Sequence, residues 1–121
     1  DNTLTAIDGV SAIAMAVVVI GLMSAVAPAL NEEPWLLIVT LFAACAANFG
    51  LQIVFWVIWD RLGVEAPRAA YSIVAGNRNM ALFLAALPVA ITDPILLFIG
   101  CYQIPMYLTP LVMRRVYRLL G

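Results

Sequence analysis

Apolar and polar positions divide the chain into four long apolar runs separated by three short polar breaks. The first run covers about residues 6–30 and ends at Pro28 and the polar group Asn31-Glu32-Glu33. Pro34 follows. Asn31 is therefore expected to cap the next helix, the glutamates to favour its positive start, and the proline to take a first-turn position where no donor is lost. The second run, about 35–59, stops at Asp60-Arg61-Leu62-Gly63, and Pro67 restarts a helix in the same manner. The third is about 68–91, with Pro88 expected to kink its outer end. A Thr92-Asp93-Pro94 link supplies a cap and a first-turn proline for the fourth, about 95–117. Each run matches the ~20 residues an α-helix needs to cross a bilayer core. The pattern predicts an all-α integral membrane bundle of four transmembrane helices, forming a single domain over residues 1–121.

Composition strengthens this reading. Hydrophobic residues make up 65% of the chain and charged ones 11%, against roughly 25% charged in a soluble domain. Lipid has to be the solvent, and the connections leave no room for a soluble catalytic domain. Histidine is absent, which removes the commonest ligand for zinc, haem iron or a chlorophyll magnesium and the usual general base. No enzymatic activity, metal or cofactor is expected, and no nucleic-acid partner. Cys45 and Cys101 lie in apolar runs on different spans, where a free thiol packs as a small hydrophobe. The opening Asp1-Asn2-Thr3 has neither a methionine nor the basic start of a secretory signal, so further residues are expected upstream.

The arginines orient the bundle. Arg61 and Arg68 flank the second break and Arg114, Arg115 and Arg118 form the tail, whereas the first and third breaks carry Glu32, Glu33 and Asp93. Basic residues collect on cytoplasmic flanks, so both termini are expected to be cytoplasmic in a multi-pass protein of a bacterial inner membrane. Trp35 suits the outer interface, and Trp56, Trp59, Tyr71, Tyr107 and Tyr117 the inner one. Small residues recur four apart at Ala12 and Ala16, Gly21 and Ala25, Ala43 and Ala47, Ala46 and Gly50, and Ala81 and Ala85, a spacing that permits close helix packing in lipid.

Polar residues far from either surface carry the functional question. The densest group is Gly76-Asn77-Arg78-Asn79-Met80. An arginine at this depth costs about 2.5–3.5 kcal/mol on insertion scales and needs protein or water beside it. Depth-matched partners are Asn48 and Gln52, four apart on the second span, and Tyr102 and Gln103 on the fourth. Gly76 has low helix propensity, and asparagine competes for backbone hydrogen bonds, so the third helix is expected to break at Gly76–Asn79. A broken helix frees carbonyls and amides that must be satisfied beside protein or a polar cavity. Arg78 would then stabilise the freed carbonyls, or hold an anion together with the second half-helix. The competing reading is a continuous helix in which Arg78 bonds to Asn48, Gln52 or Gln103 and only locks the bundle.

The stretch Ala70-Tyr71-Ser72-Ile73-Val74-Ala75-Gly76-Asn77-Arg78-Asn79-Met80-Ala81-Leu82 resembles the bile acid:sodium symporter family at the interrupted helix of its C-terminal half. Tyr102-Gln103-Ile104-Pro105-Met106-Tyr107-Leu108-Thr109-Pro110-Leu111 is similar to the last helix of bacterial members. The resemblance implies that this chain corresponds to the final four of ten helices, in a fold where two inverted repeats cross broken helices at mid-membrane beside sodium and an organic anion. It also implies a sodium site built from a carboxylate followed four residues on by glutamine. Those positions fall here on Val74 and Arg78. The resemblance thus implies impaired or absent sodium coupling, with a guanidinium in the electrostatic role of the ion and Asn77 and Asn79 as remnants of the site.

Two functions follow as expectations. One is a non-catalytic, partner-dependent transmembrane subunit with a transporter-like fold, hetero-oligomeric with other transmembrane subunits of a larger assembly, photosynthetic or respiratory. The alternative is half of a secondary transporter for a small organic anion.

Overall fold

The structure, a computed structural model, describes residues 2–64, 67–78, 80, 84 and 86–120. Every regular element among them is helical: α1 (Asn2–Glu32), α2 (Pro34–Arg61), α3 (Arg68–Gly76), α4 (Val89–Thr92), a 3-10 turn (Asp93–Ile95) and α5 (Leu96–Leu120). Three stretches, Thr3–Glu32, Pro34–Arg61 and Val89–Leu120, are long and apolar enough to cross a membrane. The chain is a helical membrane protein.

The expected third span of about 68–91 differs from the other three. Its nine-residue α3 rises about 13 Å, well short of the ~30 Å hydrocarbon core. Asn77 and Arg78 are not helical, and Asn79, 81–83 and 85 lie outside the described residues. Pro88 does not kink a running helix. It takes an extended conformation (φ −60°, ψ 147°) as the N-cap of α4, because a proline lacks the N–H that an interior helical position must donate.

The caps also depart from expectation. Asn31 does not cap α2: its Nδ2 donates back to the Ala27 carbonyl at 3.3 Å, since α1 continues through Pro28 to Glu32. Glu33 occupies the N-cap of α2 without a side-chain cap bond. Thr92 does not cap the last helix either, because its hydroxyl bonds to Val89 O at 3.2 Å within α4. At the other end of α2, Gly63 has φ 65° and its N–H meets Asp60 O at 3.1 Å, so glycine supplies the left-handed turn that stops the helix.

Helix α2 packs against both α3 and α5, and α1 lies along α5 and α2. The apolar core joins Ala44, Cys101 and Tyr102, flanked by Leu37, Leu41, Ala47, Met80, Leu97 and Phe98. Trp56 stacks on Tyr117 with centroids 4.8 Å apart, and Trp59 meets Tyr71 at 5.5 Å. These contacts set the C-terminal ends of α2 and α5 beside the start of α3, which gathers Arg61, Arg68, Arg114, Arg115 and Arg118 at one end of the bundle. There Arg68 pairs with Asp60 and lies over the Trp56 ring at 5.5 Å.

Among the described glycines, the two that meet a neighbouring helix, Gly76 and Gly100, lie outside the small-residue pairs named above. A Cβ on Gly76 would stand 2.3 Å from Asn48 O, and one on Gly100 would stand 3.0 Å from Leu22 O, whereas Gly21 and Gly50 face open space. Four-residue spacing marks a helix surface suited to close packing, and it does not say which surface meets a neighbour.

Candidate functional site: a buried amide cluster at the end of α3

Asn48 sits at the centre of α2, about 20 Å from either helix end, and is fully buried with Gln52 one turn on. Their i, i+4 spacing stacks both amides on one face, and Gln52 Nε2 donates to Asn48 Oδ1 at 2.7 Å. That face meets the C-terminal end of α3 because Gly76 has no side chain to hold the backbones apart.

A helix end at mid-membrane must satisfy its last carbonyls internally, and here most of them can be traced. Ile73 O accepts from Asn77 N at 2.7 Å, and Gly76 O from Arg78 N at 3.0 Å. Gly76 O also accepts from Asn48 Nδ2 at 3.1 Å and from the Tyr102 hydroxyl at 2.6 Å. Ala75 O accepts from Arg78 Nε at 3.3 Å. The guanidinium thus serves a freed carbonyl of its own helix.

The Asn77 side chain links three helices. Its Oδ1 accepts from Asn48 Nδ2 at 2.9 Å, and its Nδ2 donates to Met106 O at 3.4 Å. Met106 O is free to accept because the residue four positions on is Pro110, which has no N–H. Thr109 Oγ1 lies 3.0 Å from both Asn77 Oδ1 and Pro105 O, and its single proton serves one of them at a time. Gln52 Nε2 donates to the same hydroxyl at 3.2 Å. Tyr117 closes the network, donating to Gln52 Oε1 at 2.9 Å.

Of the residues singled out from sequence, the structure therefore brings together Asn48, Gln52 and Asn77 at the Gly76 end of α3. It leaves two apart. Gln103 is buried at 3% exposure, yet its Nε2 has no hydrogen-bond partner among the described residues and it does not join the cluster. Arg78 bonds to none of Asn48, Gln52 or Gln103 among the described residues. It is exposed, because the chain leaves its helix at Gly76 and turns the next side chain but one away from α2. Asn79 lies outside the described residues.

Thr109, Tyr102 and Tyr117 complete the site, and sequence reading missed the roles of Thr109 and Tyr117. Their signal is the spacing of Tyr102, Thr109, Met113 and Tyr117 along α5, a stripe of period near 3.6 that carries three hydroxyls. An isolated Thr or Tyr in an apolar run does not reveal this, since both also serve as ordinary packing residues.

Chemically the cluster is neutral and self-satisfied. The oxygens of Asn48, Gln52, Asn77 and Thr109 are hard donors of the kind that bind alkali and alkaline-earth cations. Each is already engaged by an N–H or O–H of this chain, and no carboxylate joins them among the described residues. Val74, one of the two positions that the symporter resemblance assigns to a sodium site, is 72% exposed and stands outside the cluster.

Comparison with protein-family models, with curated proteins and with solved structures finds no match.

Proposed function

We propose that this chain is a non-catalytic transmembrane subunit that completes itself against another membrane protein, on the surface where Arg78 is exposed. The observation that carries the reading is the exposure of Arg78, two residues beyond a carbonyl bonded to the mid-helix amide of Asn48. In lipid an exposed guanidinium at that depth costs about 2.5–3.5 kcal/mol or more. A neighbouring subunit or a wet cleft formed with it removes the cost.

The self-satisfied amide cluster supports a structural role for the α3 end, because no ion is needed to neutralise or bridge it. We infer further that the chain between Gly76 and Pro88 completes a broken third span. Four crossings then put both termini on the arginine-rich side, which the distribution of arginines assigns to the cytoplasm of a bacterial inner membrane. On this reading the likeness to the bile acid:sodium symporter family reflects ancestry, with Val74 and Arg78 standing where that family coordinates sodium. The host is an energy-transducing assembly, photosynthetic or respiratory, in which small helical subunits without cofactors are at home.

The test is purification of the tagged chain in mild detergent with identification of what accompanies it. Stoichiometric membrane subunits that are lost on Arg78→Gln support the proposal. Uptake of an organic anion by proteoliposomes containing this chain alone would overturn it in favour of a transporter.

A further inference from the structure

A groove of about 470 Å³ runs between α3 and α5. Ala69 and Ile73 form one wall, and Met113 and Tyr117 the other. Its inner end is Asn77 and Thr109, at the depth of the amide cluster, and Arg114 stands where it reaches the arginine-rich end of the bundle. From Thr109 to Tyr117 the helix rises about 12 Å, most of one leaflet of a ~30 Å core. The slot therefore lies along the membrane normal.

Its mouth is cationic. A second, smaller pocket of about 320 Å³ shares Pro110 and Arg114 with the groove and adds Leu111, Arg115 and Arg118. Arg68 has Asp60 as its ion-pair partner, while Arg114, Arg115 and Arg118 have no acidic partner among the described residues. Three uncompensated guanidiniums thus adjoin an apolar slot at the level of lipid headgroups. Guanidinium binds phosphate oxygens with paired N–H donors, and basic pockets between membrane helices suit anionic headgroups.

We propose that this site binds one anionic phospholipid, with its phosphate among Arg114, Arg115 and Arg118 and one acyl chain along the groove between α3 and α5. Charge complementarity selects this occupant. A zwitterionic lipid brings its own cation to the arginines, and an inorganic phosphate leaves the apolar slot unfilled. The proposal stands on the groove and its mouth, independently of any subunit at Arg78.

The whole chain, purified in mild detergent, is titrated with phosphatidylglycerol or phosphatidylcholine, and bound lipid is counted by native mass spectrometry. One tightly held phosphatidylglycerol is expected, at least tenfold preferred over phosphatidylcholine. The double variant Arg114→Gln, Arg118→Gln should lose that tenfold preference, and Arg114→Lys, Arg118→Lys should keep it. Ala69→Trp, which fills the slot without touching the arginines, should also lose the lipid, with circular dichroism confirming that each variant remains helical. Equal binding of the two lipids overturns the proposal, as does retention of phosphatidylglycerol by Ala69→Trp. Cross-linking of Ile73→Cys to a co-purifying protein in place of lipid overturns it as well.

Discussion

Gly76→Ala tests the account of the site most directly. The added Cβ would lie 2.3 Å from Asn48 O and 2.4 Å from Gln52 Cγ, where ordinary contact begins at 3.4 Å. The first of these atoms belongs to the backbone of a long helix and cannot rotate aside, so α3 must retreat from α2 by about 1 Å. That movement stretches the 3.1 Å bond from Asn48 to Gly76 O and the 2.9 Å bond to Asn77 Oδ1 beyond useful length. Overpacking of this kind costs about 1–3 kcal/mol, and each interhelical hydrogen bond in a membrane adds about 0.6 kcal/mol. The gain in helix propensity returns at most about 1 kcal/mol, which leaves a net loss of about 1–3 kcal/mol. Gly50→Ala is the matched control, since nothing lies within 4 Å of a Cβ there, and it should be neutral or stabilising by up to about 1 kcal/mol. Unfolding by SDS in bicelles, followed by tryptophan fluorescence, measures both. If Gly76→Ala proves as stable as Gly50→Ala, α2 and α3 do not meet at this glycine and the amide cluster is not assembled as described.

Other substitutions probe the remaining contacts. Tyr102→Phe removes one donor from Gly76 O while keeping the ring in the core, and should cost about 0.6–1.7 kcal/mol in the same assay; a cost above 3 kcal/mol would show that the hydroxyl does more than satisfy this carbonyl. Gly100→Val should separate α1 from α5 at Leu22 and Val26, detected as lost cross-linking between a cysteine at Leu22 or Val26 on α1 and one beside Gly100 on α5, while the fluorescence of the α2–α5 aromatic stack stays unchanged. Arg68→Gln removes an exposed ion pair and should shift stability by under about 1 kcal/mol, with the difference shrinking further in high salt. Arg78→Gln should leave the isolated chain's stability within about 0.5 kcal/mol, because its described bond is to Ala75 O of the preceding turn; a large loss would mean that the guanidinium locks the bundle.

Long-range geometry could not be read from one-dimensional order. Thr109 lies 32 positions after Asn77 and Tyr117 65 after Gln52, and they meet because α5 runs parallel to α2 and antiparallel to α3, with the C-terminal ends of α2 and α5 at the same end of the bundle. Pro110 illustrates the difficulty. In sequence it is one of two prolines, with Pro105, inside the last apolar run, and only the packing shows that the Met106 carbonyl it frees is taken by Asn77. Arg78 shows the opposite case. Residue type and depth marked it as costly, but its direction depended on the helix ending two residues earlier.

The linear order of apolar residues determined the solvent, the lengths of α1, α2 and α5, and the grouping of arginines near one set of helix ends, because transfer into lipid is a sum over local composition. It also marked Asn48, Gln52 and Asn77 as polar groups that lipid cannot satisfy. Tertiary structure decided which donors meet which carbonyls. Hydrogen bonding requires approach within about 3 Å, and that approach is set by where helices touch. At the amide cluster Gly76 permits that approach, and it belongs to none of the alanine and glycine pairs picked out by four-residue spacing. The same packing turned Arg78 outward from a cluster that satisfies itself, and so moved the functional question from the centre of the bundle to its surface.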